Sequence, residues 1–145
     1  MQISSRFTIA LHILTAIETF QGQFRITSRF LSGSIQANPV IIRNILLQLK
    51  AAGFVQIPRG RGSITLLKSS NEISLLDVYK SIEPLEQDKL FSFHKNPNPQ
   101  CPVGRNIHNI LDWRLLSVQQ AMENKLESMK LSDILTDLQK LIKAE

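Results

Sequence analysis

The spacing of apolar residues predicts two helices at the start of the chain. Between residues 3 and 20 the apolar side chains recur every three or four positions, which places them on one face of a helix. Gly22 ends that pattern. A shorter helix is expected over about residues 28–35, with Thr27 or Ser28 as its cap.

A third helix and two strands are predicted next. Asn38 and Pro39 favour a helix start, because asparagine caps helix N-termini and proline fits the first helical position. Gly53 suits the left-handed residue that follows a helix. Residues 54–57 and 64–67 are rich in β-forming side chains and flank a glycine-rich turn, which is the pattern of a β-hairpin.

Three further helices are predicted in the second half. Residues 74–82 form a short one with Ser74 as its cap, an apolar stripe predicts a long one from about Pro102 to Met129, and a last one covers about residues 132–143. A helix of about 28 residues is ~40 Å long, which is longer than the small domain that it would cover. Its apolar stripe is therefore expected to pair with the same helix of a second copy. The expected dimerisation residues are Ile107, Ile110, Leu111, Leu115, Val118 and Met122.

This order of elements predicts a mainly α protein. It comprises a winged helix-turn-helix domain, whose wing is a short antiparallel β-hairpin, and a long C-terminal dimerisation helix. The expected division is residues 1–83 for the winged DNA-binding domain, 84–101 for a linker loop and 102–145 for the helical dimerisation region.

The third helix combines an apolar face with a face suited to reading DNA bases. The inner face consists of Ile42, Ile45, Leu46, Leu49 and Ala52. The outer face begins with a methyl-bearing residue, a guanidinium and an amide, which are groups that contact thymine, guanine and adenine in a major groove. The outer residues are Val40, Arg43, Asn44, Leu47 and Lys50. Lys50 lies further along the helix and is expected at a phosphate.

The first half of the chain is strongly basic, and two of its cations lie at the tip of the predicted hairpin. Residues 1–70 hold eight lysines and arginines and one acidic residue. Residues 71–145 hold nine lysines and arginines and eleven acidic residues. A basic half favours a polyanionic partner, although an unevenly charged solvated surface is the alternative. Arg59 and Arg61 alternate with glycines at the tip, where they are expected to enter a minor groove or contact its phosphates. Solvated loop arginines are the alternative there. Phosphate contacts are also expected near the first two helix N-termini, from Arg6, Ser28 and Arg29, and simple helix capping is the alternative there.

Several separated stretches resemble one family of bacterial regulators. They read MQISSRFTIALHIL, NPVIIRNILLQLKAAGFV, RGRG, ISLLDVYKSIE and NPNPQCPVGRNI. Over almost its whole length the chain resembles the Rrf-two family of winged-helix transcription regulators, and within it the subgroup that lacks the iron–sulfur cysteines. The resemblance implies a homodimer on an imperfect inverted repeat of double-stranded DNA. It puts the family's base-reading positions on Val40, Arg43 and Asn44 and its wing arginine on Arg59. Ser63 and Ile64 depart from the run of glycines frequent in the family's wing.

Cysteine usage separates this chain from well-known members of that family. Those members ligate an iron–sulfur cluster with three closely spaced cysteines before the long helix, whereas this chain has Cys101 alone. No cofactor and no metal site are therefore expected. Cys101 precedes the predicted long helix, whose dipole favours the thiolate, so a redox sensor is one interpretation. An unreactive cap residue is the other.

The leading hypothesis is a sequence-specific DNA-binding transcription regulator, a repressor, that acts as a homodimer. The alternative is a winged-helix module for protein interaction or nucleic-acid architecture without operator specificity. An enzyme is not expected, because the sequence has no nucleophile elbow, phosphate loop or zinc pattern. No apolar run approaches the ~20 residues of a membrane span, so a cytoplasmic protein without membrane contact is expected.

Overall fold

The structure is a computed structural model that describes residues 3–83 and 88–145. Helices make up most of these residues. In chain order the elements are α1 (Ser5–Phe20), α2 (Ser28–Ile35), α3 (Pro39–Ala51), β1 (Val55–Gln56), β2 (Thr65–Leu66), a 3₁₀ turn (Ser70–Glu72), α4 (Leu75–Ile82), α5 (Pro102–Glu127) and α6 (Leu131–Lys143). The predicted fold class is confirmed: a mainly α winged helix-turn-helix with a two-stranded wing and a long C-terminal helix. The 3₁₀ turn was not predicted.

The predicted helix starts are capped as the sequence indicates. Thr27 rather than Ser28 caps α2, since its Oγ1 accepts a hydrogen bond of 3.0 Å from the Phe30 amide. The Asn38 side chain accepts one of 2.8 Å from the Val40 amide and so begins α3. Ser74 caps α4 in a reciprocal capping box with Asp77.

The wing strands are shorter than predicted. The antiparallel ladder pairs Val55 with Leu66 and Gln56 with Thr65. One further backbone hydrogen bond, of 2.9 Å from the Leu67 amide to the Phe54 carbonyl, extends the pairing away from the tip. Pro58 has no amide N–H to donate, so the ladder cannot continue along the chain beyond β1.

The core lies between α1, α3, α4, the wing and α6. Its fully buried side chains include Ile13, Leu14, Ile17, Ile26, Leu31, Ile42, Ile45, Leu49, Ile73 and Leu131. The predicted inner face of α3 is buried except at Ala52, where the prediction was wrong. Ala52 is the C-cap residue, one position beyond the end of α3, so its methyl group points into solvent.

The C-terminal helix α6 returns to this core. Leu131 and Leu135 belong to the buried cluster, and α6 contacts α1. The Leu131 amide donates to the Ile73 carbonyl and the Leu75 amide to the Met129 carbonyl, both over 2.9 Å. The structure therefore joins the end of the predicted 102–145 region to the core of the predicted winged domain.

The long helix α5 lies against α4 and is covered in part by residues 88–101. Gln119 holds that cover: its Nε2 donates to the Asp88 carbonyl and its Oε1 accepts from the Leu90 amide, each over 2.8 Å. At the other end, a Cβ on Gly104 would lie 2.5 Å from the Asn98 carbonyl oxygen, so the cover approaches α5 too closely for any side chain there. Residues 84–87 of the predicted linker lie outside the described residues. In residues 3–83 and 88–145 no helix has the length and apolarity to cross a membrane.

Candidate nucleic-acid interface

The outer face of α3 is open to solvent, as predicted. Val40 is 52% exposed and Leu47 is 57% exposed, although both are large apolar residues. Arg43, Asn44 and Lys50 are exposed on the same face. The buried side chains of the helix, Ile42, Ile45, Leu46 and Leu49, fix its opposite side in the core. A guanidinium, an amide and two apolar groups therefore stand together on a rigid element, and these are types of group that can contact base edges in a major groove.

The wing stands beside this face, and an open cavity of about 380 Å³ lies between them. The residues that line it are Arg25, Thr27, Ser28, Arg43, Leu46, Leu47, Ile57, Pro58, Gly60, Gly62 and Ile64. Helix α3, the start of α2 and the wing thus meet around one concavity with arginines on its walls.

The tip of the wing has a backbone that only glycine suits at two positions. Gly60 has a φ of +80°, in the left-handed region that side chains disfavour. At Gly62 a Cβ would lie 2.5 Å from the Pro58 Cβ, so a side chain would collide with the proline ring. Arg59 and Arg61 are exposed next to these glycines.

Ser63 explains how this wing differs from a glycine-rich one. Its Oγ accepts a hydrogen bond of 2.8 Å from the Ile26 amide, and the following Ile64 amide donates to the Ile26 carbonyl over 2.9 Å. Ile64 is buried in the core. The part of the wing that leads into β2, Ser63 and Ile64, is thus attached to the segment before α2.

The predicted phosphate-contacting residues near the helix N-termini have different surroundings. Arg29 is exposed in the first turn of α2, and Ser28 is half-buried on the cavity wall. Arg6 is half-buried, and its Nη2 donates to the Gln48 Oε1 of α3. Arg6 therefore ties α1 to α3 with part of its guanidinium, and its remaining N–H groups are the ones that a phosphate would meet.

Arg25 is a residue of this surface that the sequence analysis missed. Its Nη2 donates to the Gly60 carbonyl over 3.1 Å and its Nε to the Gly62 carbonyl over 3.3 Å. Thirty-five residues separate Arg25 from Gly60, and no periodicity or motif relates them, so only the folded chain brings them together.

The predicted dimerisation residues of α5 divide into two groups. Ile110 and Val118 are 48% and 54% exposed, whereas Ile107, Leu111, Leu115 and Met122 are half-buried. Leu115 lies against the cover formed by residues 88–101, beside Phe91 and Phe93. The helix also exposes three apolar residues that the prediction did not include, Val103, Trp113 and Leu116.

Cys101 is the N-cap residue of α5 and is half-buried. The amide groups of Gly104 and, to a smaller degree, Val103 lower the pKa of its thiol, because they favour the negative thiolate. The result agrees in direction with the influence expected from the helix dipole.

These features define the chain as a winged-helix transcriptional regulator. A family model described as Rrf2, iron-dependent transcriptional regulator, matches residues 3–137, and the chain belongs to this Rrf-two (Rrf2) family. It is 40% identical over 136 residues to YwnA of Bacillus subtilis (strain 168), a candidate HTH-type transcriptional regulator, and the match covers 94% of this chain and 98% of YwnA.

Solved structures share the fold. A candidate DNA-binding protein is 36% identical, with a TM-score of 0.73 over 90% of this chain and 99% of its own. A candidate transcriptional regulator from Lactobacillus plantarum has a TM-score of 0.79 over 99% of this chain and 100% of its own, at 23% identity. The second likeness is one of fold alone.

The ligand set of this chain does not fit the iron of the family description. The sequence contains one cysteine, and residues 3–83 and 88–145 contain no group of three or more histidine, cysteine, aspartate or glutamate side chains placed to hold a metal. His94 and His108 lie with ring centroids 5.0 Å apart, but no third ligand joins them in that part of the chain. An iron–sulfur cluster needs several thiolates, which one such chain does not supply.

Proposed function

We propose that this protein is a sequence-specific DNA-binding regulator that represses transcription in the bacterial cytoplasm. The observation that supports it most is the shared surface of α3 and the wing. Val40, Arg43 and Asn44 are exposed together on a helix that the core holds rigid, and the wing arginines stand beside them. In a winged helix this helix enters the major groove, so its first exposed side chains meet base edges.

The basic charge of the first half supplies affinity, and the polar side chains supply selectivity. Arg59, Arg61, Arg29 and Lys50 are exposed cations that neutralise phosphates or enter a narrow minor groove. Arg43 and Asn44 carry the donors that distinguish guanine and adenine. Binding is therefore expected to weaken steeply with salt.

The functional unit that we propose is a homodimer on an inverted repeat. Ile110 and Val118 are exposed on α5, a helix of 26 residues. At about 1.5 Å per residue α5 is about 39 Å long, and an apolar stripe of that length is buried well by a second copy. Two copies related by a two-fold axis would present two copies of α3 to half-sites about one helical turn, or a multiple of it, apart.

The deciding experiment is a selection of genomic DNA fragments by the purified protein, followed by footprinting. We expect a protected palindrome and a steep loss of affinity with added salt. An interaction or architectural module would give no protected palindrome, and that outcome would replace the proposal with the alternative.

Substitutions on α3 separate base reading from phosphate binding. Arg43→Ala is expected to weaken binding to the selected fragment by about 1–3 kcal/mol and to relax the base preference, because it removes a base-edge contact. Lys50→Ala is expected to weaken specific and random DNA alike and to reduce the salt dependence. Titrations of both variants with the selected and a scrambled fragment measure this, and equal losses on both fragments for Arg43→Ala would contradict its reading role.

A further inference from the structure

Arg25 reaches the wing from a segment that is itself held firmly. Ile26 is fully buried, and the Phe24 ring stacks on Phe30 with centroids 5.6 Å apart and meets Phe20 edge-on at 5.8 Å. Because both neighbours are fixed against α1 and α2, the backbone of Arg25 has little freedom. Its exposed guanidinium is therefore presented from a rigid base.

The wing tip has little support of its own. Its ladder pairs two residues on each strand, and of the eight residues between the strands, 57–64, the last two, Ser63 and Ile64, bond to Ile26. Gly60, with nothing within 4 Å of where a Cβ would lie, gives the backbone of the tip more freedom than a residue with a side chain would. The guanidinium of Arg25 forms a fork of two hydrogen-bond donors, Nε and Nη2, and donates to the carbonyls of Gly60 and Gly62. These two glycines lie on either side of Arg61 in the chain.

Neutral carbonyl partners suit this role better than a carboxylate. Glu18 is the one acid among residues 1–70, and the two salt bridges of the described ranges, Lys89–Asp112 and Lys130–Glu127, lie elsewhere. A carboxylate at the tip would cancel part of the positive field of Arg59 and Arg61. A guanidinium that donates to carbonyls fixes the backbone and leaves that field intact.

We infer that Arg25 is a positioning residue for DNA binding: its fork to Gly60 and Gly62 holds the wing in the conformation that presents Arg59 and Arg61 to the duplex. This inference rests on the proposed function. Holding the tip before DNA arrives removes an ordering entropy that binding would otherwise have to offset. A lysine cannot replace Arg25, because an ammonium lacks the planar fork that reaches two carbonyls.

The test compares Arg25→Met and Arg25→Lys on the fragment that the wild-type protein selects from genomic DNA. We expect both variants to raise the Kd about tenfold and to lose protection of the minor groove at the wing. Guanine contacts in the major groove are expected to persist, because α3 is unaffected. Arg105→Met, which removes an exposed cation from α5, is the control and is expected to leave the Kd unchanged.

A double-mutant cycle completes the test. In an Arg59→Ala, Arg61→Ala background, Arg25→Met is expected to change the Kd less than about twofold, since no wing cation is left to position. A full effect in that background would overturn the inference. So would wild-type binding by Arg25→Lys together with a lower salt slope for Arg25→Met, because Arg25 would then be an ordinary phosphate contact. A wild-type protein that selects no fragment refutes the proposed function instead.

Discussion

Single atoms decide the shape of the wing and, at the start of α5, the acidity of a thiol. The hydrogen that Gly62 carries in place of a Cβ lets the chain pass the Pro58 ring, and the Ser63 hydroxyl oxygen accepts the Ile26 amide where a glycine would offer no side chain. At the start of α5, the amides of Gly104 and Val103 act on a single sulfur atom, Cys101. In each case a neighbouring group, the Pro58 ring or a backbone amide, decides how the residue behaves.

The thiol of Cys101 carries the first prediction at this scale. Its pKa lies below the ordinary value of a cysteine, so the thiolate persists to lower pH and the thiol should react with iodoacetamide there. We expect the alkylation rate of the folded protein to fall with decreasing pH through a midpoint below that of the same protein in urea, with Cys101→Ser as the blank. Equal midpoints would contradict the influence of the two amides.

Redox sensing at Cys101 stays a prediction from the sequence. A thiolate that attacks hydrogen peroxide forms a sulfenic acid as the O–O bond breaks and hydroxide leaves. We expect peroxide to weaken binding to the selected fragment in the wild type and not in Cys101→Ser. If peroxide leaves wild-type binding unchanged, Cys101 is a cap residue without a sensing role.

Among the elements, α5 has two faces of different character. Its inner face holds Gln119, the one polar residue of the described helix that is buried, and this amide fastens residues 88–90. Its outer face carries exposed apolar residues such as Ile110 and Val118. The long helix is thus attached to its own domain along one side and exposes apolar residues along the other, where we propose that a second copy binds.

Removing the Gln119 amide should destabilise the folded chain. Gln119→Leu leaves the Leu90 amide and the Asp88 carbonyl without their partner, which costs about 1–3 kcal/mol of unfolding free energy. Urea unfolding should show a lower midpoint with an unchanged slope. Gln120→Leu, the same change at the exposed next position, is the control and should leave the midpoint in place. Equal midpoints for both variants would show that the hydrogen bonds of Gln119 contribute nothing net.

For the whole molecule, the return of α6 to the core is the main consequence of the tertiary structure. Leu131 and Leu135 pack with residues of α1, so the chain beyond α5 stabilises the same body that carries α3 and the wing. The inner side of α5 faces this body through its contact with α4. The proposed dimer would use the opposite side of α5.

Charges on the outer face of α5 should separate the copies without unfolding them. Ile110→Asp combined with Val118→Asp is expected to convert the proposed dimer to a monomer, because desolvating two carboxylates in an apolar interface is unfavourable. Sedimentation equilibrium measures the mass, and circular dichroism should show unchanged helix content since both positions are exposed. Leu141→Asp, an exposed apolar position on α6, is the control. A double variant that stays dimeric would place the interface elsewhere.

The sequence by itself determined the helices, their caps and the outer face of α3. Those features follow from short-range physics: an apolar period of three to four residues, Asn38-Pro39 at a helix start, and a left-handed residue at Gly53, whose φ is +82°. Exposure of Val40, Arg43 and Asn44 followed from the same period. The tertiary structure decided the short ladder of the wing, the hydrogen bonds of Arg25 to Gly60 and Gly62, and the packing of α6 against the core. The contacts of Arg25 and of α6 join residues 35 or more positions apart, and the ladder of the wing ends where the Ile64 amide donates to the Ile26 carbonyl instead, so all three features depend on how the elements pack. No local pattern records that packing.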